Sequence, residues 1–319
     1  MRPSTFLLSL STTTLTTASF LRPRQQPQLC NGRADFCNRI YSNVSWIGTH
    51  NSPFIGTADP PDPRVNQQKT VPEQLDAGIR FLQGQTQVLI NGAEDAGPFS
   101  ELYMCHTDCA IYNGGSLRQY LTTVKTWVDA HPDEVVTMLL TNGDNVDISE
   151  FDAAFNDTGM KELAFVPSTS PQMLPMGEWP TYGQIIEGEK RVVVFLDYGA
   201  DESKVPYILD EFTYYFETPF SQTDPTFSQC RLDRPPNASP DGRMYLVNHV
   251  LDKEIPLTDI LVPDHEADFT TNAAQGNGSI GAQVELCEGM WGRVPNVVLV
   301  DMFDRGEVFV AQDALNGVS

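Results

Sequence analysis

The chain is short of positive charge. Its 319 residues include 20 Lys or Arg against 42 Asp or Glu, a formal net charge of −22. That balance repels phosphate backbones and excludes DNA or RNA as a partner. It also removes the polybasic route to an anionic membrane. No run of 18 apolar residues occurs, so no transmembrane helix is expected. G-x-S-x-G, H-E-x-x-H and G-x-x-x-x-G-K-[ST] are all missing, which leaves serine hydrolase, zincin and P-loop chemistry without their basic parts. Internal repeats are missing too.

What is present points outward from the cell. Six cysteines, an even number, stand at 30, 37, 105, 109, 230 and 287. The start, "MRPSTFLLSLSTTTLTTASF", joins an arginine, a modestly apolar stretch and small residues, the pattern of a secretory signal over about residues 1–19. Asn43, Asn156, Asn237 and Asn277 head N-x-S/T sequons, the third weakened by Pro240 just after it. A secreted, glycosylated monomer is expected, with 20–319 as one domain. A chain of this length buries a core unaided, so disulfides act as local staples.

Short apolar runs alternate with helical patterns. "NVSWIGTHNS", "GIRFLQGQTQVLI", "ELYMCHTD", "EVVTMLLTNGDN", "KRVVVFLDYGAD", "RMYLVNHVL" and "NVVLVDMFDRG" read as strands. "SLRQYLTTVKTWVDAHPDE" places Leu117, Leu121, Val124 and Val128 on one helical face behind a Ser116 cap. "DISEFDAAF", "VPYILDEFTYYF" and "VFVAQDALN" read as further helices, and 222–241 and 263–282 as long surface loops. Continuous apolar strands alternating with helices predict an α/β fold with a covered parallel sheet. Their number, and the lack of a glycine-rich nucleotide fingerprint, favour a single-domain TIM-type (β/α) barrel over a Rossmann sheet.

In such barrels function gathers at the C-terminal strand ends. His50, Asn51, Gln83, Gln85, His106, Asp108, Thr141, Asn142, Asp197, His249 and Asp301 stand there. Two histidines on different strands beside a carboxylate suit acid–base chemistry near neutral pH. His131 and His265, at a helix end and in a loop, are assigned to the surface. "CHTDC" makes a poor zinc site, because three ligands within five residues would have to converge and no second Cys/His cluster completes the set. A Cys105–Cys109 disulfide that holds the His106 loop in one conformation is the better reading. A glycosidase would need two strand-end carboxylates, for which Asp197 and Asp301 can be nominated.

"WIGTHNS", "GIRFLQGQTQ" and "YMCHTDC", in that order and spacing, resemble the X region of phosphatidylinositol-specific phospholipases C. From Cys30 to Gly317 the chain resembles more closely the fungal secreted PLC-like phosphodiesterase group, through "VKTWVDAHPDEVVTMLL", "YILDEFTYYFETPF", "MYLVNHVLD" and "NVVLVDMF". The resemblance implies a barrel that cleaves a small-molecule or lipid phosphodiester. His50 would act as general base, His106 as general acid, and Asp301 would orient His50.

The departures carry as much information. On the second strand bacterial members have an aspartate and an arginine, and animal members a glutamate and an aspartate as calcium ligands; here stand Gln83 and Gln85. Asn51 matches the animal calcium-ligand asparagine, but Thr141 replaces a further glutamate. No calcium site and no cofactor are therefore expected, and either the activity is slow or the cation that balances the phosphate comes from the substrate or an unmatched residue. Asn51, Gln83, Gln85, Thr141, Asp197 and His249 are expected to line the substrate site. The alternative is a barrel that binds a polyol or glycolipid head group and no longer cuts. Short spacing pairs Cys30 with Cys37 and Cys105 with Cys109, and elimination leaves Cys230 with Cys287. The aromatic "TYYF" at 213–216 is expected to pack on the barrel.

Overall fold

Strands with no polar face have to be covered on both sides, and the chain arranges them accordingly. The structure, a computed structural model, describes residues 28–89 and 101–318; the expected signal segment lies outside the described residues. The strands are β1 (Trp46–Thr49), β2 (Phe81–Val88), β3 (Leu102–Cys105), β4 (Asn113–Ser116), β5 (Val136–Asn142) and β6 (Val192–Leu196). They continue as β7 (Ile208–Asp210), β8 (Tyr215–Glu217), β9 (Met244–Asn248), β10 (Asp252–Glu254), β11 (Leu261–Pro263) and β12 (Val297–Val300). The helices are α1 (Val71–Ala77), α2 (Leu117–Ala130), α3 (Ile148–Asp157) and α4 (Tyr182–Glu187), then α5 (Glu211–Tyr214), α6 (Asp268–Thr271), α7 (Ile280–Trp291) and α8 (Val308–Leu315).

Eight strands run parallel in the order β7-β6-β5-β2-β1-β12-β9-β8 and curl into a half-barrel of the TIM type, with β7 and β8 at its two ends. Alternate residues separate into two cores. Met138, Leu140, Val194, Leu196, Val298 and Val300 pack outward among helix residues such as Leu121 and Val124. Phe81, Leu139, Val193, Phe195, Leu246 and Leu299 fill the inside. Helix α2 starts where its capping box requires, with Ser116 Oγ accepting from Gln119 N and the Gln119 side chain returning to Ser116 N.

Several expectations need correction. "ELYMCHTD" is a strand, but β3 lies antiparallel on β2 and pairs onward with β4, outside the parallel row. "VPYILDEFTYYF" is not one helix. Ile208 and Leu209 pair with β6, Tyr215 and Phe216 pair with β9, and only one turn capped by Asp210 lies between. Two sheet edges outweigh the local pattern, because β-branched and aromatic side chains gain more on a pleated surface. Within 263–282, His265, Asp268, Thr271, Asn272 and Ser279 are buried, α6 forms, and Ile280 opens α7. Two internal glycines, Gly281 and Gly289, weaken the helical signal of α7.

Disulfides join Cys30 to Cys37, Cys105 to Cys109 and Cys230 to Cys287. Tyr214, Tyr215 and Phe216 are buried, and the four sequon asparagines are exposed. No helix among the described residues is long and apolar enough to cross a membrane.

Candidate active site

Parallel pairing of β1 with β12 sets Thr49 opposite Val300. The next residue on each strand, His50 and Asp301, therefore emerges beside the other, and His50 Nδ1 lies 2.8 Å from Asp301 Oδ1. A carboxylate only accepts, so Nδ1 carries the proton. Asn66 Nδ2 donates to the other oxygen, Asp301 Oδ2, at 3.1 Å. The remaining His50 nitrogen, Nε2, lies 3.0 Å from Asn51 Nδ2. A half-turn of that amide exchanges donor for acceptor, so Asn51 suits either charge state of His50.

His106 is held differently. It follows β3 inside the five-residue disulfide loop, stacks on Phe54 with ring centres 5.0 Å apart, and donates from Nδ1 to the Arg64 carbonyl at 2.7 Å. Burial lowers the pKa of both histidines. At His50 the Asp301 carboxylate more than offsets it, so the net shift is upward. Among the described residues no carboxylate bonds to His106; burial prevails and its pKa falls.

Two adjoining cavities share His50, Gln85, Phe220 and Asn248. The outer, about 470 Å³, also reaches Asn51, Arg64, His106 and Asp252. The inner, about 180 Å³, is walled by Gln83, Thr141, Asp197, Glu211, Glu217 and Arg234. Gln83 and Gln85 each spend Oε1 on a backbone N–H, of Asn51 and of Thr107. Sequence reading missed Arg234. It comes from the loop assigned to the surface, turns inward, and bonds Glu217 through Nε at 3.0 Å and through Nη2. Backbone bonds between Glu217 and Arg234 anchor the loop there, a long-range contact with no local signature.

Three of the carboxyls that line the two cavities are shifted upward. Burial, then the charge of Glu217, holds Glu211 well above the ordinary carboxylate range. Burial raises Asp197 to about 6, although the N–H groups of Asn142 and Tyr198 donate to it. Burial, then Asp301, raises Asp252 to about 6. A carboxyl whose folded pKa is raised stabilises the fold fully below its unfolded pKa, and that contribution is lost as pH rises through the folded value. Asp197→Asn keeps both N–H bonds without the charge. Thermal melts should therefore show the variant gaining on the wild type as pH rises from about 4 to about 7.

Not every strand-end residue reaches the site. His249 lines neither cavity: it is buried on the other side of β9, bonded to Gln283 Oε1 at 2.5 Å and the Thr271 carbonyl at 2.7 Å. Side chains alternate along a strand, so Asn248 faces in and His249 faces out. His265 is not on the surface either. It is buried, donates from Nε2 to the Val65 carbonyl at 2.9 Å, and has Nδ1 3.3 Å from Asp268. His131 is half-exposed and stacked on Trp127. Asp108 is exposed and bonds Ala110 N in its own loop.

Backbone strain gathers at this place. The residues directly after His50, His106 and Asp301 are Asn51, Thr107 and Met302, with φ of 49°, 63° and 40°. Left-handed backbone is costly for any side chain, and most of all for a β-branched one such as Thr107. Strain of this kind persists where the surroundings impose it, and it clusters at functional sites. No group of three or more His, Cys, Asp or Glu arranged to hold a metal occurs among the described residues.

The PI-PLC X family model matches residues 36–316. The chain is 51% identical over 297 residues to PI-PLC X domain-containing protein 1 of Arthroderma benhamiae, across 93% of this chain and 92% of that one. It is 40% identical over 299 residues to an uncharacterized secreted protein of the same fungus, across 91% and 64%. Among solved structures, phosphatidylinositol-specific phospholipase C from Listeria monocytogenes superposes with a TM-score of 0.52 at 14% identity, covering 89% of this chain and 96% of that one. The enzyme of that name from Staphylococcus aureus, with a pentafluoro-Phe incorporated, gives 0.55 at 12%, covering 92% and 98%. At these identities the likeness is one of fold.

Proposed function

The chain belongs to the PI-PLC X-domain family, and from that premise we propose that it is a secreted phosphodiesterase with His50 as general base and His106 as general acid. One observation carries the reading. Two histidines open on one cavity, each with Nδ1 committed to an acceptor, so that Nε2 is the nitrogen left for chemistry. His50 Nε2 takes the proton of a substrate hydroxyl, and that oxygen attacks phosphorus. The P–O bond to the leaving alcohol breaks, and His106 Nε2–H protonates the departing oxygen. A neighbouring hydroxyl on a polyol head group gives a cyclic phosphodiester. Water then opens it with the two roles exchanged. Arg234, through the inner cavity, supplies the positive charge that the second strand lacks.

The opposed shifts of the two histidines have a kinetic signature. The step needs neutral His50 and protonated His106, whereas His50 is the one whose pKa is raised. The kcat/KM profile is still bell-shaped, with its alkaline limb set by His50 and its acid limb by His106. Asp301→Asn removes the charge that raises His50, so the alkaline limb should move toward acid while the acid limb stays. Movement of the acid limb alone would reverse the assignment.

Calcium should matter little, because Gln83, Gln85 and Thr141 offer neutral oxygens and hard cations bind weakly without charge. The rate with excess calcium and with chelator should agree within about twofold; micromolar calcium binding by calorimetry would contradict this. Three disulfides and four exposed sequons support the secreted assignment. The deciding experiment is turnover of a phosphodiester panel, phosphatidylinositol included. One observation favours a second reading: Glu217 already neutralises Arg234, and a barrel that only binds a polyol head group needs no stronger cation.

A further inference from the structure

Strand β2 carries three glutamines at alternate positions, Gln83, Gln85 and Gln87, so their side chains leave one face. Their partners form a pattern. Gln83 Oε1 accepts from Asn51 N at 2.7 Å, and Gln85 Oε1 accepts from Thr107 N at 3.0 Å. Gln87 Nε2 donates to Thr107 O at 2.5 Å. Asn51 and Thr107 are the left-handed residues that directly follow the two histidines. Each histidine thus leads into a strained turn whose N–H is gripped by the same strand, and at Thr107 the carbonyl is gripped as well.

We propose that Gln83 and Gln85 are positioning residues: through Oε1 they hold the strained turn after His50 and after His106, and so set where each imidazole points. This rests on the acid–base reading of the pair. A neutral carboxamide suits the task, because it offers a carbonyl acceptor without placing a negative charge against a phosphate. Gln87 completes the clamp on Thr107 from further along the strand.

Two substitutions at Gln85 separate a grip on the backbone from a contact with phosphate. Gln85→Glu keeps an oxygen acceptor for Thr107 N–H and loses the Nε2 donor; Gln85→Met keeps the length and loses both. Gln85 is half-buried at the cavity, so water can take up the freed N–H and both variants should melt near the wild type. Positioning predicts that Gln85→Met loses about 10- to 100-fold in kcat/KM on phosphatidylinositol micelles, as a slightly misplaced catalytic group does. Gln85→Glu keeps an acceptor for the grip but sets a negative charge against the phosphate, so its rate should fall as well. Nitrogen-15 NMR gives a readout independent of turnover: the His106 Nδ1–H bonded to the Arg64 carbonyl should stay slow to exchange in Gln85→Glu and become fast in Gln85→Met. The same pair of changes at Gln83 should act on His50. A Gln85→Glu variant whose His106 Nδ1–H exchanges as fast as in Gln85→Met would overturn the proposal. So would a Gln85→Met variant that keeps the slow Nδ1–H. If the wild type turns over nothing, the acid–base reading fails and the exchange measurement still decides the grip.

Discussion

His50→Ala and His106→Ala are each expected to lower kcat/KM on a phosphodiester by about 10² to 10⁴, and the double variant should be little worse than either single one. A base and an acid serve one proton-transfer sequence, so losing either stalls it and the second loss finds little left to remove. The remaining histidines are the controls. His131→Ala should leave the rate unchanged, because its half-exposed ring stacks on Trp127 beyond the cavities, and should cost only that stack and the Nδ1 bond to the Trp127 carbonyl. His249→Ala should leave the site intact but cost about 1–3 kcal/mol, since Gln283 and the Thr271 carbonyl lose their buried partner. His265→Ala belongs with it as a stability variant. Steady-state rates read beside thermal melts separate the two groups. A single variant, His50→Ala or His106→Ala, that keeps wild-type rate would remove that residue from the mechanism.

Arg234→Gln is expected to lower the rate by about 10³ or more, the scale of an arginine at a phosphoryl transition state. The same change should cost about 3–5 kcal/mol of stability, because it leaves Glu217, almost fully buried, without its ion-pair partner. Asn248 Nδ2, which donates to Glu217 at 3.0 Å, offsets only part of that. The two effects can be pulled apart. Arg234→Met combined with Glu217→Gln removes both charges, so it should recover most of the stability and none of the rate. A double variant with wild-type activity would show that Arg234 only neutralises Glu217.

How far these residues could be read in advance depends on what kind of contact makes each one. His50 and Asp301 follow apolar strand runs that pair in register, and "WIGTH" and "VLVD" show both the runs and the ends. His106 was legible from its two flanking cysteines, although its strand proved to be a hairpin laid on β2. Arg234 was not, because a loop residue becomes a cavity residue only through a partner 17 positions away, and nothing in "DRPPN" announces Glu217. His249 shows the opposite error: a strand end gives position but not direction, and one residue's difference turns a side chain from the cavity to the helices. The stretch from Ile208 to Glu217 misled for another reason, since its helical spacing yielded to two ladders supplied by β6 and β9.

The most direct test of the account is phosphorus-31 NMR of phosphatidylinositol in mixed micelles, with wild type and with His50→Ala, in the presence of chelator. The account predicts a new cyclic phosphodiester signal with the wild type, unchanged by chelation and lost in the variant. No turnover of this or any other phosphodiester, together with polyol binding that His50→Ala abolishes, would contradict it and make the barrel a binding protein.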